Sequence, residues 1–263
     1  MPEKNDRCYL SSDGHSFVGR VYDLGICVGY FDTYEELSKY PDCLYVFNVQ
    51  GRVGSLVTRV ESLNSVGDLF WLSEEFIQGR LPVSKFEWIN FSADSFLMRI
   101  TSLSDCAALL VNEVYETGLP ARKCTVQKLF KADIPEEVCQ ILADLQSAPE
   151  ELRTERNQRF HHGFERGISS DSQAFRDVSF HEHHGNKITG VDRNGIKIDT
   201  SRYMREGLSE MQTEFNKSCN KVQGLLKCIY EMIEPEFEDR FHKKFNDPET
   251  GYGYLKLSKR HRI

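Results

Sequence analysis

Along the middle of the chain apolar residues recur every three or four positions, over spans too long for any element but an α-helix. Between Asp42 and about Gln78 they fall at Val49, Val53, Leu56, Val60, Leu63 and Phe70, interrupted only near Gly67. This spacing predicts one long amphipathic helix. After a break at Gly79 to Pro82, a second stripe runs through Phe96, Ile100, Leu103, Ala107, Leu110 and Val114 until Gly118 and Pro120 stop it. The two are expected to form an antiparallel hairpin. A third stripe, Met204, Leu208, Met211, Phe215, Cys219, Val222, Leu226, Ile229 and Ile233, has the length to span the same bundle, and Pro235 is its expected end. Three such helices predict an all-α fold.

Between the second and third stripes the pattern is more broken. Ile134-Pro135-Glu136-Glu137 opens a helix with proline and acids in its first turn, expected to run to about Gln146. Ser147-Ala148-Pro149-Glu150 has the spacing of a capping box and starts another, with Gly163 and Gly167 as its terminators. Asn194-Gly195, between short alternating runs, predicts a small β-hairpin insertion near 188–198. The first 40 residues, where Phe17, Val18, Val21, Ile26, Val28 and Phe31 suit helix or strand alike, stay unassigned. The expected organisation is an N-terminal extension (1–41), a helical domain (42–246) and a basic C-terminal tail (247–263).

Composition narrows the class without fixing a function. At 263 residues, 40% of them hydrophobic, the chain can bury one large core or two small ones. No segment approaches the ~20 apolar residues of a membrane span, and the polar start Met1-Pro2-Glu3-Lys4 carries no secretion signal, so no membrane partner is expected. Eight scattered cysteines without a C-x-x-C pair read as reduced thiols of a cytoplasmic protein. A net charge of −7 argues against a protein that coats nucleic acid, so any RNA contact has to be local.

Local positive charge is found in Arg156-Asn157-Gln158-Arg159-Phe160-His161-His162, where a helix is expected to end. Arginine pairs with phosphate oxygens, and histidine moves protons near neutral pH. On a helix Asn157 and His161 share a face, and Arg156 reaches around to it on its long stem. Gln158 and His162 form a second pair four apart, while Arg159 and Arg166 add charge nearby. The bland alternative is a solvated face whose arginines pair with Glu150, Glu151, Glu155 and Glu165.

Arg156-Asn157-x-x-x-His161, inside a bundle of long helices, resembles the R-x4-6-H motif of the all-α HEPN superfamily. The resemblance covers roughly residues 42–246, and the N-terminal 40 residues and the hairpin stand outside a minimal HEPN bundle. His162 leaves four or five residues between arginine and histidine. The resemblance implies a metal-independent endoribonuclease that needs no cofactor, works as a homodimer with two motifs facing one cleft, and serves in defence or beside an antitoxin protein. Arg156, Asn157 and His161 are then the expected catalytic residues, and Arg159, His162 and Arg166 the expected contacts to RNA. A non-catalytic helical module binding a protein or nucleotide is the alternative.

A second histidine group, His181-Glu182-His183-His184, raises a metal reading. Asp177, His181 and His184 at helical spacing, or His161, Glu165, His181 and His184 together, would serve a metal-dependent hydrolase, whereas a polar helix end running into Gly185-Asn186 is the plainer reading. No phosphate-binding G-x-x-x-x-G-K-[ST] loop and no G-x-S-x-G nucleophile motif is present, and Gly25-Ile26-Cys27-Val28-Gly29 lacks the third glycine of a dinucleotide fingerprint. The basic residues Lys256, Lys259, Arg260 and Arg262 read as a solubilising terminus.

Overall fold

A computed structural model describes residues 8–11, 13–70, 77, 82–163, 166–167 and 171–253. Their α-helices are α1 (Ser16–Gly25), α2 (Tyr34–Leu37), α3 (Pro41–Leu69), α4 (Lys85–Val114), α5 (Val126–Leu129), α6 (Glu136–Ser147), α7 (Glu150–His162), α8 (Ser172–His183) and α9 (Thr200–Phe245). The fold is all-α, with no strand among the described residues. Of the hairpin expected near 188–198 there is one antiparallel bridge, Val191 to Lys197, around a turn in which Gly195 takes φ +77°. Asp192 holds that turn with its own carboxylate, which accepts the backbone N–H groups of Asn194 and Ile196.

The chain divides into two compact units, each containing stretches of α3, α4 and α9. In the unit formed from 1–10, 61–101 and 149–221, Phe70, Phe96 and Phe215 form a triangle of rings with centroids 5.6–6.2 Å apart. Phe96 and Phe215 are 1% and 0% exposed, so the ring cluster is core. A second chain of rings, Phe86 to Phe175 to Tyr203, joins α4, α8 and α9 at 5.6 Å per step. Asn64 closes the amino-terminal stretch onto α3 by accepting from the Leu10 N–H and donating to its carbonyl.

The unit formed from 11–60, 102–148 and 222–263 packs α1, α3, α4 and α9 around Phe17, Tyr45 and Phe237. Phe237 takes Phe17 edge-on and Tyr45 stacked, each at 5.5 Å. The Tyr45 hydroxyl donates to the Val114 carbonyl, which sets the start of α3 against the end of α4, and burial pushes its pKa well above the ordinary tyrosine value. The first 40 residues therefore include a helix, α1, whose Phe17, Val18 and Val21 are fully buried and whose Arg20 pairs with Glu238 of α9 at 2.7 Å. Buried Asp42 accepts the N–H groups of Tyr252 and Gly253, so the chain just before the basic tail is fastened to the first turn of α3. The tail residues from 254 onward lie outside the described residues.

Two boundary expectations change. Pro235 does not end the third long helix; α9 runs on to Phe245 with the proline inside it. Ile233 and Phe237 on either side are fully buried, and that packing outweighs the one hydrogen bond that proline removes. Ser147 forms no capping box, because it is still the last residue of α6 and its hydroxyl donates to the Asp144 carbonyl. The box forms instead at Ser84 to Glu87, where the Glu87 carboxylate accepts the Ser84 N–H at 2.8 Å and the Ser84 hydroxyl accepts the Glu87 N–H at 3.3 Å. The first stripe is helical from Pro41 to Leu69; most of its continuation toward Gln78 lies outside the described residues.

Candidate functional site

α7 carries the arginine and histidine cluster. Pro149 stands at its N-cap, Glu150 and Glu151 lie in its first turn, and Arg159, His161 and His162 lie in its last. The charges oppose the helix dipole at both ends, which offsets a composition with little apolar surface to bury. Gly163 ends the helix at φ +65°, a conformation that costs glycine nothing.

One side of α7 faces the protein. Leu152 is buried, Arg153 donates to the Thr101 carbonyl, and Arg159 is 6% exposed with its Nε 2.7 Å from Asp94 Oδ1 and its Nη2 3.1 Å from Asn90 Oδ1. Arg166, just beyond the helix, pairs with Glu155 at 3.1 Å and Glu214 at 2.5 Å. Burial works against its charge, but the Glu214 hydrogen bond and the neighbouring carboxylates outweigh that and raise its pKa above the usual arginine value. Both guanidinium groups expected to contact RNA are therefore engaged in intramolecular ion pairs.

The other side faces solvent. Asn157, Gln158, His161 and His162 are exposed, as is half of the Phe160 ring. Arg156 is half-buried and donates from Nε and Nη2 to Asn157 Oδ1, at 3.2 and 2.8 Å. Among the described residues it has no carboxylate partner, so its charge is available to an anion. Asn157 and His161, four residues apart, share the outward face as their spacing requires. The bland expectation that the cluster's arginines pair with glutamates thus holds for Arg166 and not for Arg156. Glu165, named in that expectation, lies outside the described residues.

The second histidine group has partners of its own. His181 and His183 close α8, the His184 ring nitrogen Nδ1 lies 2.9 Å from the Phe180 carbonyl, and the His184 ring packs on Phe180 at 4.3 Å. Glu182 turns away to Lys85 and Thr200. Among the described residues no three His, Cys, Asp or Glu side chains are grouped to hold a metal ion.

Two features of this unit escaped the sequence. Lys85, at the first position of α4, is 3% exposed and donates to Thr200 Oγ1 at 3.0 Å, Ser201 Oγ at 2.9 Å and the Glu182 carboxylate at 3.4 Å. It satisfies a buried cation at a helix end that disfavours one, and ties α4, α8 and α9 together. The second is a groove between α4 and α8, beside Asn90 and Asp94. Neither has a signature in spacing, since both depend on which helices meet. No helix of the described residues is long and apolar enough to cross a membrane. Compared with protein-family models, curated proteins and solved structures, the chain matches none.

Proposed function

We propose that the chain is a metal-independent endoribonuclease of HEPN type, acting as a homodimer in which the outward faces of two α7 helices form one cleft. The observation that carries this reading is Arg156, joined to Asn157 and without a carboxylate partner among the described residues, on the helix that presents His161 to solvent. RNA supplies its own nucleophile, the 2′-hydroxyl, so the protein has to move protons and stabilise charge on the phosphate. Arg156 binds the scissile phosphate with its fork, Asn157 fixes the arginine's orientation, and His161 exchanges the proton. Cleavage needs both a base and an acid, and of the two imidazoles on one α7 only His161 shares the face of Asn157, so one copy holds half of this machinery. A second copy supplies the second imidazole and a second guanidinium, which also explains how a chain of charge −7 attracts RNA at one place.

Arg159 and Arg166 take a different part in this reading. They hold α7 against α4 and α9, and RNA contact is left to Arg156, His161 and His162. A non-catalytic module on the same fold is favoured by those same two ion pairs, which leave only part of the basic cluster for a ligand. Incubating purified protein with single-stranded RNA in excess EDTA separates the two. The nuclease yields fragments ending in a 2′,3′-cyclic phosphate, and a His161→Ala, His162→Ala double variant does not. Cleavage undiminished in that variant would sink the reading.

A further inference from the structure

The groove between α4 and α8 has a volume of about 400 Å³ and is lined by Phe86, Glu87, Phe91, Asp94, Asp177 and Phe180, with Ser84, Asn90 and Arg176. Its floor is Phe86, buried against Phe175. One phenylalanine stands on each rim, Phe91 on α4 at 55% exposed and Phe180 on α8 at 49%. Carboxylates stand beside both rings. Glu87 is fixed by the Ser84 cap, and the backbone hydrogen bond from Ser84 keeps its pKa below the usual glutamate value despite partial burial. Asp94 is held by Arg159, while Asp177 has no ion pair among the described residues. Among the described residues Arg159 therefore balances Asp94, and Glu87 and Asp177 stand against one arginine of the lining, Arg176, which leaves the groove with a net negative charge.

We propose that this groove docks a basic peptide segment of a partner protein, taking lysine or arginine side chains between the two phenylalanine rings and the rim carboxylates. Charge complementarity selects the occupant: Glu87 and Asp177 outnumber Arg176, so the groove repels a phosphate backbone and attracts a cation. The rings add cation–π attraction, which favours guanidinium over a small ammonium ion. The proposal is independent of the ribonuclease reading, which concerns the outward face of α7.

The test is fluorescence anisotropy on the full chain with a labelled ten-residue peptide carrying four arginines, against the same peptide with glutamine at those positions. The arginine peptide is expected to bind roughly tenfold more tightly, and less so as salt rises. A Phe91→Ala, Phe180→Ala double variant weakens it by about fivefold to thirtyfold, from two exposed cation–π contacts. Asp177→Asn, a surface change that leaves the fold intact, weakens it by roughly threefold. Equal binding of the two peptides, or arginine-peptide binding untouched by both variants, would overturn the proposal. Binding of guanosine monophosphate in its place, lost in the double variant, would overturn it in favour of a nucleobase site.

Discussion

Replacing Arg166 by alanine is expected to destabilise the protein rather than weaken its hold on RNA. The guanidinium is 16% exposed and lies between Glu155, 17% exposed, and Glu214, 33% exposed. Its removal leaves two carboxylates facing each other with no cation between them. Breaking a well-buried ion pair costs about 3–5 kcal/mol, and Glu214 regains part of its hydration, so the lower end applies, about 3 kcal/mol. For a chain of this size that lowers Tm by roughly 6–12 °C. Thermal unfolding followed by circular dichroism measures it. Adding Glu155→Gln and Glu214→Gln to the alanine variant removes the stranded charges and is expected to recover at least about half of the loss. A single variant that melts within about 2 °C of the parent while losing RNA affinity would refute the reasoning and make Arg166 a ligand for phosphate.

Pro235→Ala restores a backbone N–H in the interior of α9 and is expected to raise stability by roughly 1–3 kcal/mol, seen as a higher denaturant midpoint; a lower midpoint would mean that the proline ring or a kink is needed there. Gly251→Ala would set a Cβ 2.6–2.7 Å from the carbonyl oxygens of Lys244, Phe245 and Asp247, and should cost about 1–3 kcal/mol in a urea melt; an unchanged melt would show that this turn yields freely. Glu87 has a depressed pKa in the folded protein, so its contribution is present in full above the usual glutamate value and is lost as pH falls through the folded one. Urea melts of Glu87→Gln and the parent should therefore differ at neutral pH and converge in acid below about pH 4.5, whereas a constant gap across that range would contradict the sign.

The long helices were legible because a stripe of apolar residues at three- and four-residue steps has few ways to be buried. Every residue of the third stripe, Met204 to Ile233, is buried as expected. What misled were the local stop and start signals. Pro235 reads as a terminator only when the buried Phe237 and Phe241 beyond it are overlooked, and Ser147 reads as a cap only if the preceding helix has already ended. The true capping box at Ser84 has the same spacing and begins two residues past Pro82, just beyond the break expected at Gly79 to Pro82. In the first 40 residues the glycines hid α1, whose buried face is only Phe17, Val18, Val21 and Gly25.

For the candidate site, periodicity placed Asn157 and His161 on one face, and that geometry follows from helix structure alone. It did not reveal which of the arginines are engaged. Arg156 and Arg159 are three apart, close in angle around the helix, yet Arg159 meets Asp94 and Asn90 on α4 while Arg156, among the described residues, reaches the Asn157 amide and no carboxylate. That difference is set by long-range packing, as is the burial of Lys85. The groove at Phe91 and Phe180 was hidden for the same reason, because an outward phenylalanine cannot be told from a core one until its neighbours are known.

The outward face of α7 is proposed above to cleave RNA without a metal. A time course with single-stranded RNA in excess EDTA, comparing the parent with Arg156→Ala and with the His161→Ala, His162→Ala double variant, tests it most directly. The parent is expected to yield fragments ending in a 2′,3′-cyclic phosphate, with a loss of roughly a hundredfold or more in both variants at unchanged melting temperature. Parent protein that leaves RNA intact, or variants that cleave as fast as the parent, would contradict it.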